Sequence, residues 1–165
     1  MISVRRATID DLEPLASAYT AAWREGYRQL FSAAVFAQDD FDERRREECR
    51  ETLLDDQIDV HVAELDGHVV GYLAVVDSDH LSAIVGMWVH PHAWGSGAGQ
   101  ALLATVEDQH RNIGRMNLAT WLPEDSPRAR RLFEKAGWRP TGEIGRLDVY
   151  RNEPNRTFEY VRTLV

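Results

Sequence analysis

Residues 89–103 read VHPHAWGSGAGQALL, and the fold is decided there. The run ahead of them, LSAIVGMWV (81–89), has the composition of a buried strand, and Pro91 closes it. Behind them Ala98, Leu102, Thr105, Val106, Gln109 and Ile113 recur at helical spacing, which predicts a helix over about 97–112. A strand that turns through glycines straight into a helix aims free backbone N–H groups, and the positive end of a helix dipole, at one place. Side chains there would block the close approach of an anion, above all a pyrophosphate, and glycines do not. Two nucleotide fingerprints fail on these residues. In a G-x-G-x-x-G register the sixth position is Gln100 counted from Gly95 and Leu102 counted from Gly97. A Walker loop needs a Gly-Lys pair, which this chain lacks.

Working outward, ISVRRA (2–7) alternates as a short strand. Thr8 and Asp11 have the spacing of a capping box, and Leu12, Leu15, Ala16, Tyr19, Ala22 and Trp23 predict a helix over about 10–26, ended by Gly26. A second helix is expected over about 40–55. Its apolar stripe is thin (Phe41, Cys49, Leu53, Leu54), and RRREE (44–48) reads as a solvated face. IDVHVAEL (58–65) and HVVGYLAVV (68–76) alternate on either side of Asp66-Gly67, a hairpin signal. Gly86 marks a bulge or a close backbone approach in the next strand. Downstream, MNLATWL (116–122) is a strand. SPRARRLFEKAG (126–137) is a helix with Ser126 as N-cap, Pro127 in its first turn and Gly137 as its stop. The rest is β-rich, with EPN (153–155) as a turn. The order β-α-α-β-β-β-α-β-α-β-β describes an α/β fold, a mixed and mostly antiparallel sheet with helices on both faces, in a single domain over 1–165.

Composition narrows the function. The 165 residues hold one cysteine, Cys49, so no intrachain disulfide forms and a reducing, cytoplasmic location is expected. Nineteen basic residues against 27 acidic ones leave a charge of −8, which argues against nucleic acid as a general partner. No apolar stretch reaches the ~20 residues that span a bilayer, so no membrane partner is expected. The start, MISVRRATIDD, lacks the apolar core of a signal peptide.

Val89, Pro91, Gly95, Gly97, Gly99 and Leu102 stand in the register V-x-P-x-x-[RQ]-G-x-G-x-G-x-x-L, and in this the chain resembles the GCN5-related N-acetyltransferases (GNAT). SPRARRLFEKAGW (126–138) is similar to that family's N-x-x-A-x-x-x-Y-E-x-x-G-F block, and AAWREGY (21–27) to its s-W-x-x-a-Y element. The resemblance covers essentially the whole chain. It implies the GNAT fold, acetyl-CoA as co-substrate, and direct attack by a primary amine of a small molecule or peptide; no metal is expected, since the His90-Pro91-His92 pair has no third ligand in view. It implies cofactor contacts at Met87, Trp88, Val89, Trp94, Gly95, Ser96, Gly97, Ala98, Gly99, Gln100, Ser126 and Phe133. The diphosphate is expected on the amides of Gly95 through Gln100, and the N–H of Val89 as the oxyanion donor. Trp23 and Tyr27 are expected at the acceptor pocket. A homodimer is also expected, with TFEYVRTLV (157–165) pairing or swapping at a sheet edge.

Four departures bear on catalysis. Trp94 replaces the Arg or Gln of the signature and Ser126 the Asn. Phe133 replaces a tyrosine that often protonates the leaving thiolate, and Ala83 falls near the place of a glutamate base. The remaining proton acceptors by position are Asp77, Asp79, His80, His90 and His92. A reading of a different class stays open: a module that binds or senses acyl-CoA without turning it over.

Overall fold

Alternation along the sequence becomes a two-faced sheet in space. The computed structural model describes residues 1–28, 31–147 and 155–165. Its elements are β1 (Ile2–Arg6), α1 (Leu12–Gly26), α2 (Ala33–Phe36), α3 (Phe41–Leu54), β2 (Ile58–Leu65), β3 (His68–Asp77), β4 (Ser82–Val89), α4 (Ala98–Asn112), β5 (Asn117–Pro123), α5 (Pro127–Lys135), β6 (Arg139–Leu147) and β7 (Asn155–Thr163). The expected order holds, with the one-turn helix α2 added. The EPN turn lies largely outside the described residues.

Seven strands form one sheet in the order β1-β2-β3-β4-β5-β7-β6. Every neighbouring pair is antiparallel except β4 with β5, which are joined by the crossover helix α4. The alternating strands feed two cores. Leu73, Val75, Ile84, Leu118 and Tyr160 face Leu102 and Val106 of α4 and Phe133 of α5. Val60, Val62, Tyr72 and Ala74 face Leu12, Leu15 and Ala16 of α1 and Cys49 of α3. The N-terminal corner is tied by Asp11, which accepts two hydrogen bonds from Arg5 (2.8 and 2.9 Å) and one from the Thr8 N–H (2.8 Å). The Arg5 bonds, above all, hold the Asp11 carboxyl below the usual range.

Three expectations are corrected. RRREE is not wholly a solvated face: Arg45 is 3% exposed. It occupies the i+4 position between Phe41 and Cys49, lies over the rings of Trp23 (5.0 Å) and Phe41 (5.2 Å), and bonds Glu48 at 2.5 Å, while Leu54 points to solvent. The buried face of α4 is rotated from the expected one, taking in Leu103, Glu107 and His110 and leaving Ile113 exposed. Finally, β7 is no edge. It pairs with β5 on one side and β6 on the other, so its backbone groups are already engaged and exchange at a free edge is closed to it.

Candidate functional site

The pairing of β4 with β5 stops early. It runs through Ser82↔Leu118, Ala83↔Ala119 and Ile84↔Thr120, where the Thr120 hydroxyl donates to the Ile84 carbonyl at 3.1 Å. Beyond that rung the strands part. On the other side of β4 the ladder to β3 slips, with Ala74 opposite Gly86 and Val75 opposite Ile84, leaving Val85 as the extra residue of a bulge. Gly86 thus marks the bulge, and the close approach falls on β3: a Cβ on Gly71 would sit 2.7 Å from the Trp88 carbonyl oxygen.

The amides of β4 follow from this register. His90 N–H donates to the Val70 carbonyl at 2.7 Å. Since antiparallel hydrogen bonding alternates, Trp88 and His90 turn their N–H groups to β3, and Met87 and Val89 turn theirs into the gap toward β5. The Val89 carbonyl shares that direction and accepts from the Trp94 indole N–H at 2.8 Å. Trp94 therefore pins the end of β4 from within the gap.

The glycine loop comes next. Gly95 and Gly97 have φ of +83° and +96°, a backbone that side-chain-bearing residues rarely adopt. Gly97 N-caps α4. Two of the six loop amides are engaged: Ser96 N–H donates to the Ala93 carbonyl and Ala98 N–H to the Ser96 hydroxyl, at 3.2 and 3.3 Å. Those of Gly95, Gly97, Gly99 and Gln100 find no acceptor among the described residues, so they are the donors left for an anion. Gly99 has a packing role as well, because a Cβ there would lie 3.0 Å from Leu132 and 3.2 Å from Met87.

Fork and loop open into one cavity of about 1030 Å³. Met87, Trp88, Val89, Trp94, Gly95, Gly97, Ala98, Gly99, Gln100, Ser126 and Phe133 all line it; Ser96 does not, and serves the loop through its cap to Ala98. Phe133 is 2% exposed and stands edge-on to Trp138 at 5.0 Å. Ser126 lines the cavity, and its hydroxyl makes no cap bond to α5. Tyr27 lines the opposite wall, and burial holds its phenol well above the usual range. Trp23 does not reach that wall. It lies behind it, 2% exposed, between Phe31 (5.5 Å) and Trp88 (6.2 Å).

None of Asp77, Asp79, His80, His90 and His92 lines the cavity. Asp77 lies beyond the closed end of the fork, opposite Ser82, and bonds His110 at 2.9 Å. The carboxylates that do line it are Glu25 and Asp125. Sequence reading missed both, along with the half-exposed indole of Trp121, because nothing local marks a residue as facing a gap between strands. Buried Cys49 has its thiol pushed up to about 12, first by desolvation, so it stays protonated. Among the described residues no group of three His, Cys, Asp or Glu is placed to hold a metal ion.

A sequence profile of the acetyltransferase (GNAT) family matches residues 15–138, which contain the fork, the glycine loop and α5. The chain belongs to the GNAT family. Its acetyltransferase fold is also that of many solved structures. A PaiA N-acetyltransferase from Thermoplasma acidophilum, solved with coenzyme A, is 15% identical with a TM-score of 0.79, covering 99% of each chain. A GCN5-related N-acetyltransferase from Rhodopseudomonas palustris is 17% identical (TM-score 0.77; 98% of this chain, 95% of that one). A ribosomal-protein-alanine N-acetyltransferase from Brucella melitensis is 21% identical (TM-score 0.73; 98% and 99%). No curated protein matches the chain by sequence. As a GNAT member the protein is an acetyltransferase that uses acetyl-CoA as co-substrate and an amine as acceptor. The unspent amides at Gly95–Gln100 and the parted strands fit a diphosphate and a narrow thioester arm.

Proposed function

We propose that this acetyltransferase acts on a primary amine of a small molecule or peptide, which attacks the thioester directly in the gap between β4 and β5. The observation that carries this reading is the Val89 amide, turned away from β3 and left unpaired by β5 where the two strands part. A free N–H on a backbone that the β3 ladder holds rigid is a preorganised donor for an oxyanion developing on the thioester carbonyl. The diphosphate rests on the amides of Gly95, Gly97, Gly99 and Gln100, with Ser126 and Phe133 along the cofactor arm. The acceptor enters past Tyr27 on the α1 side.

An alkyl ammonium has a pKa of about 10 and must lose a proton before it attacks. Of the two carboxylates on the cavity wall, Glu25, at the C-terminal turn of α1 and 3.3 Å from Arg28, is on the acceptor side and accepts that proton through water. The thiolate departs without a phenol at position 133. Free thiols have a pKa of about 8.5, so that step needs little help near neutral pH.

The reading covers a single domain over 1–165 in the cytoplasm; its one cysteine supports that compartment, and no described helix is long and apolar enough to cross a membrane. It includes a homodimer assembled through surfaces other than β7, for which exposed Ile144 on the edge strand β6 is a candidate. Light scattering that reads one chain mass, 18.8 kDa, at micromolar concentration overturns the dimer.

The test of the site is calorimetry and turnover on Gly97→Glu. The substitution adds bulk and like charge where the phosphates lie, and a side chain at φ +96°. A folded variant should lose acetyl-CoA binding and release no CoA thiol with amines that the parent acetylates. Unchanged acetyl-CoA affinity in that folded variant sinks the placement.

A further inference from the structure

A buried tyrosine O–H or tryptophan N–H finds an acceptor as a rule. The Tyr19 hydroxyl donates to Glu48 at 2.7 Å and that of Tyr160 to Glu134 at 2.8 Å. The indole of Trp94 donates to the Val89 carbonyl and that of Trp138 to Glu107, both at 2.8 Å. Tyr27 and Trp88 break the rule. Neither the phenol of one nor the indole N–H of the other meets an acceptor among the described residues. Tyr27 is 8% exposed, and desolvation alone raises its phenol, with no hydrogen-bonding or charged neighbour contributing. A buried donor without an acceptor is destabilising, so its presence points to a ligand in the cavity that both residues line.

The two donors belong to neighbouring rings, perpendicular to each other with centroids 5.4 Å apart. Trp88 packs with Tyr72 and Ala74 on the α1 side of the sheet, and its indole nitrogen lies 3.8 Å from where a Gly86 Cβ would be. Gly86 stands beyond the last rung between β4 and β5, so the N–H edge of Trp88 lies at the mouth of the fork. Tyr27 reaches the cavity from the C-terminal end of α1. Along the same cavity, Val85 and Trp121 present apolar surface, 57% and 48% exposed, and Gly145 leaves room for the Trp121 ring, which a Cβ there would meet at 2.9 Å. Bases are few at this end: no histidine lines the cavity, and Glu25 lies 3.3 Å from Arg28.

We propose that Tyr27 and Trp88 hold a carbonyl oxygen of the acceptor, so that the amine acetylated is an α-amine beside an amide carbonyl, as in an amino-acid amide or the first residue of a peptide. The proposal rests on the acetyl-transfer reading above, names its acceptor and adds no step to it. A carbonyl oxygen has two lone pairs and can accept from both donors at once. Neutral donors suit a neutral carbonyl. A free carboxylate calls for a cation, and Arg28 on this wall is engaged with Glu25. Held at the mouth of the fork, the carbonyl fixes the amine, three bonds from its oxygen, beside the parted strands. The scarcity of bases fits the same acceptor. An α-amine has a pKa of about 8 against about 10 for an alkyl ammonium, so roughly a hundredfold more of it is free base at neutral pH. Val85 and Trp121 suit an apolar side chain on that first residue.

The experiment follows release of CoA thiol by the full chain with leucinamide and with 3-methylbutylamine, which has the same side chain and no carbonyl. Rates are compared at equal concentrations of free base, so that the difference in basicity drops out. Leucinamide should have a kcat/KM at least ~10-fold higher, as two neutral hydrogen bonds supply. In Tyr27→Phe, which removes one oxygen and leaves the ring, the ratio should fall to within about threefold, with acetyl-CoA still bound by calorimetry. Tyr160→Phe, which removes a phenol oxygen outside the cavity, should keep the parent ratio. A tripeptide amide that begins with leucine separates the two sources of this chemistry: a kcat/KM above that of leucinamide supports a peptide, and one below it supports a small molecule. A parent that acetylates both amines equally, or neither while binding acetyl-CoA, overturns the proposal, as does a Tyr27→Phe that keeps the full ratio. A parent that does not bind acetyl-CoA overturns the acetyl-CoA reading itself, which is a distinct outcome.

Discussion

Phe133 shows how one side chain can leave a family's chemistry and keep its architecture. It is buried against Trp138, whose indole N–H is in turn held by Glu107 at 2.8 Å, so the ring is fixed from behind and presents a flank to the cavity. A phenyl ring has no proton to give. Phe133→Tyr is therefore expected to change kcat by less than about tenfold, against the ~10²–10⁴ of a genuine general acid. Phe133→Ala should lose about 3–5 kcal/mol of stability and weaken acetyl-CoA binding, as truncating a buried Phe leaves a cavity. Steady-state kinetics across pH 6–9 and urea unfolding of both variants check this, and a hundredfold gain in kcat for the Tyr variant would refute it. The position itself was legible in the sequence, from its place in the SPRARRLFEKAGW block; its neighbours were not.

At the scale of the element, β4 is set by what grips it on each side. The Trp94 indole holds the Val89 carbonyl, and Gly71 lets β3 close on Trp88 and Val89. A methyl at Gly71 would also lie 3.0 Å from Val89 Cα. Gly71→Ala must then push the two strands apart at the rung that carries the oxyanion donor. Overpacking of this kind costs about 1–3 kcal/mol. The expected result is a lower Tm with kcat reduced more than the acetyl-CoA Kd is raised, because the glycine loop is untouched. A variant with parent kcat would show that the end of β4 tolerates the shift. The bulge was legible from Gly86 inside an apolar run. The splay from β5 was not, since it depends on where two strands distant in sequence cease to pair.

For the whole molecule, pH reads out a buried histidine. His61 is 4% exposed in the middle of β2, and burial above all, then the charges of Arg6 and His110, lowers its proton affinity below the usual range. The unfolded chain therefore takes up the proton first. Stability from neutral His61 is complete above the unfolded pKa of about 6.5 and is lost as pH falls toward the lower folded value. Thermal unfolding should give a Tm that drops between pH 7 and pH 5, and His61→Gln should flatten that drop. An equal slope in the variant would assign it to other groups.

By itself the sequence determined the strands, the helices, the glycine loop and the family. Each of these is a local matter: a period of 2 or 3.6, a turn residue, or a register of glycines set by positive φ within a few residues. Tertiary structure alone decided what depends on partners from far along the chain. Arg45, Glu107 and His110 read as surface residues by type, and they are buried because the rings of Trp23 and Phe41, the indole of Trp138 and the carboxylate of Asp77 come to meet them. The last strand reads as an edge by its place in the chain, yet β6 folds back outside it and makes it interior. The cavity wall follows the same logic. Glu25, Asp125 and Trp121 face it because the sheet opens between β4 and β5, a gap set by two strands ceasing to pair and therefore written in no single stretch of residues.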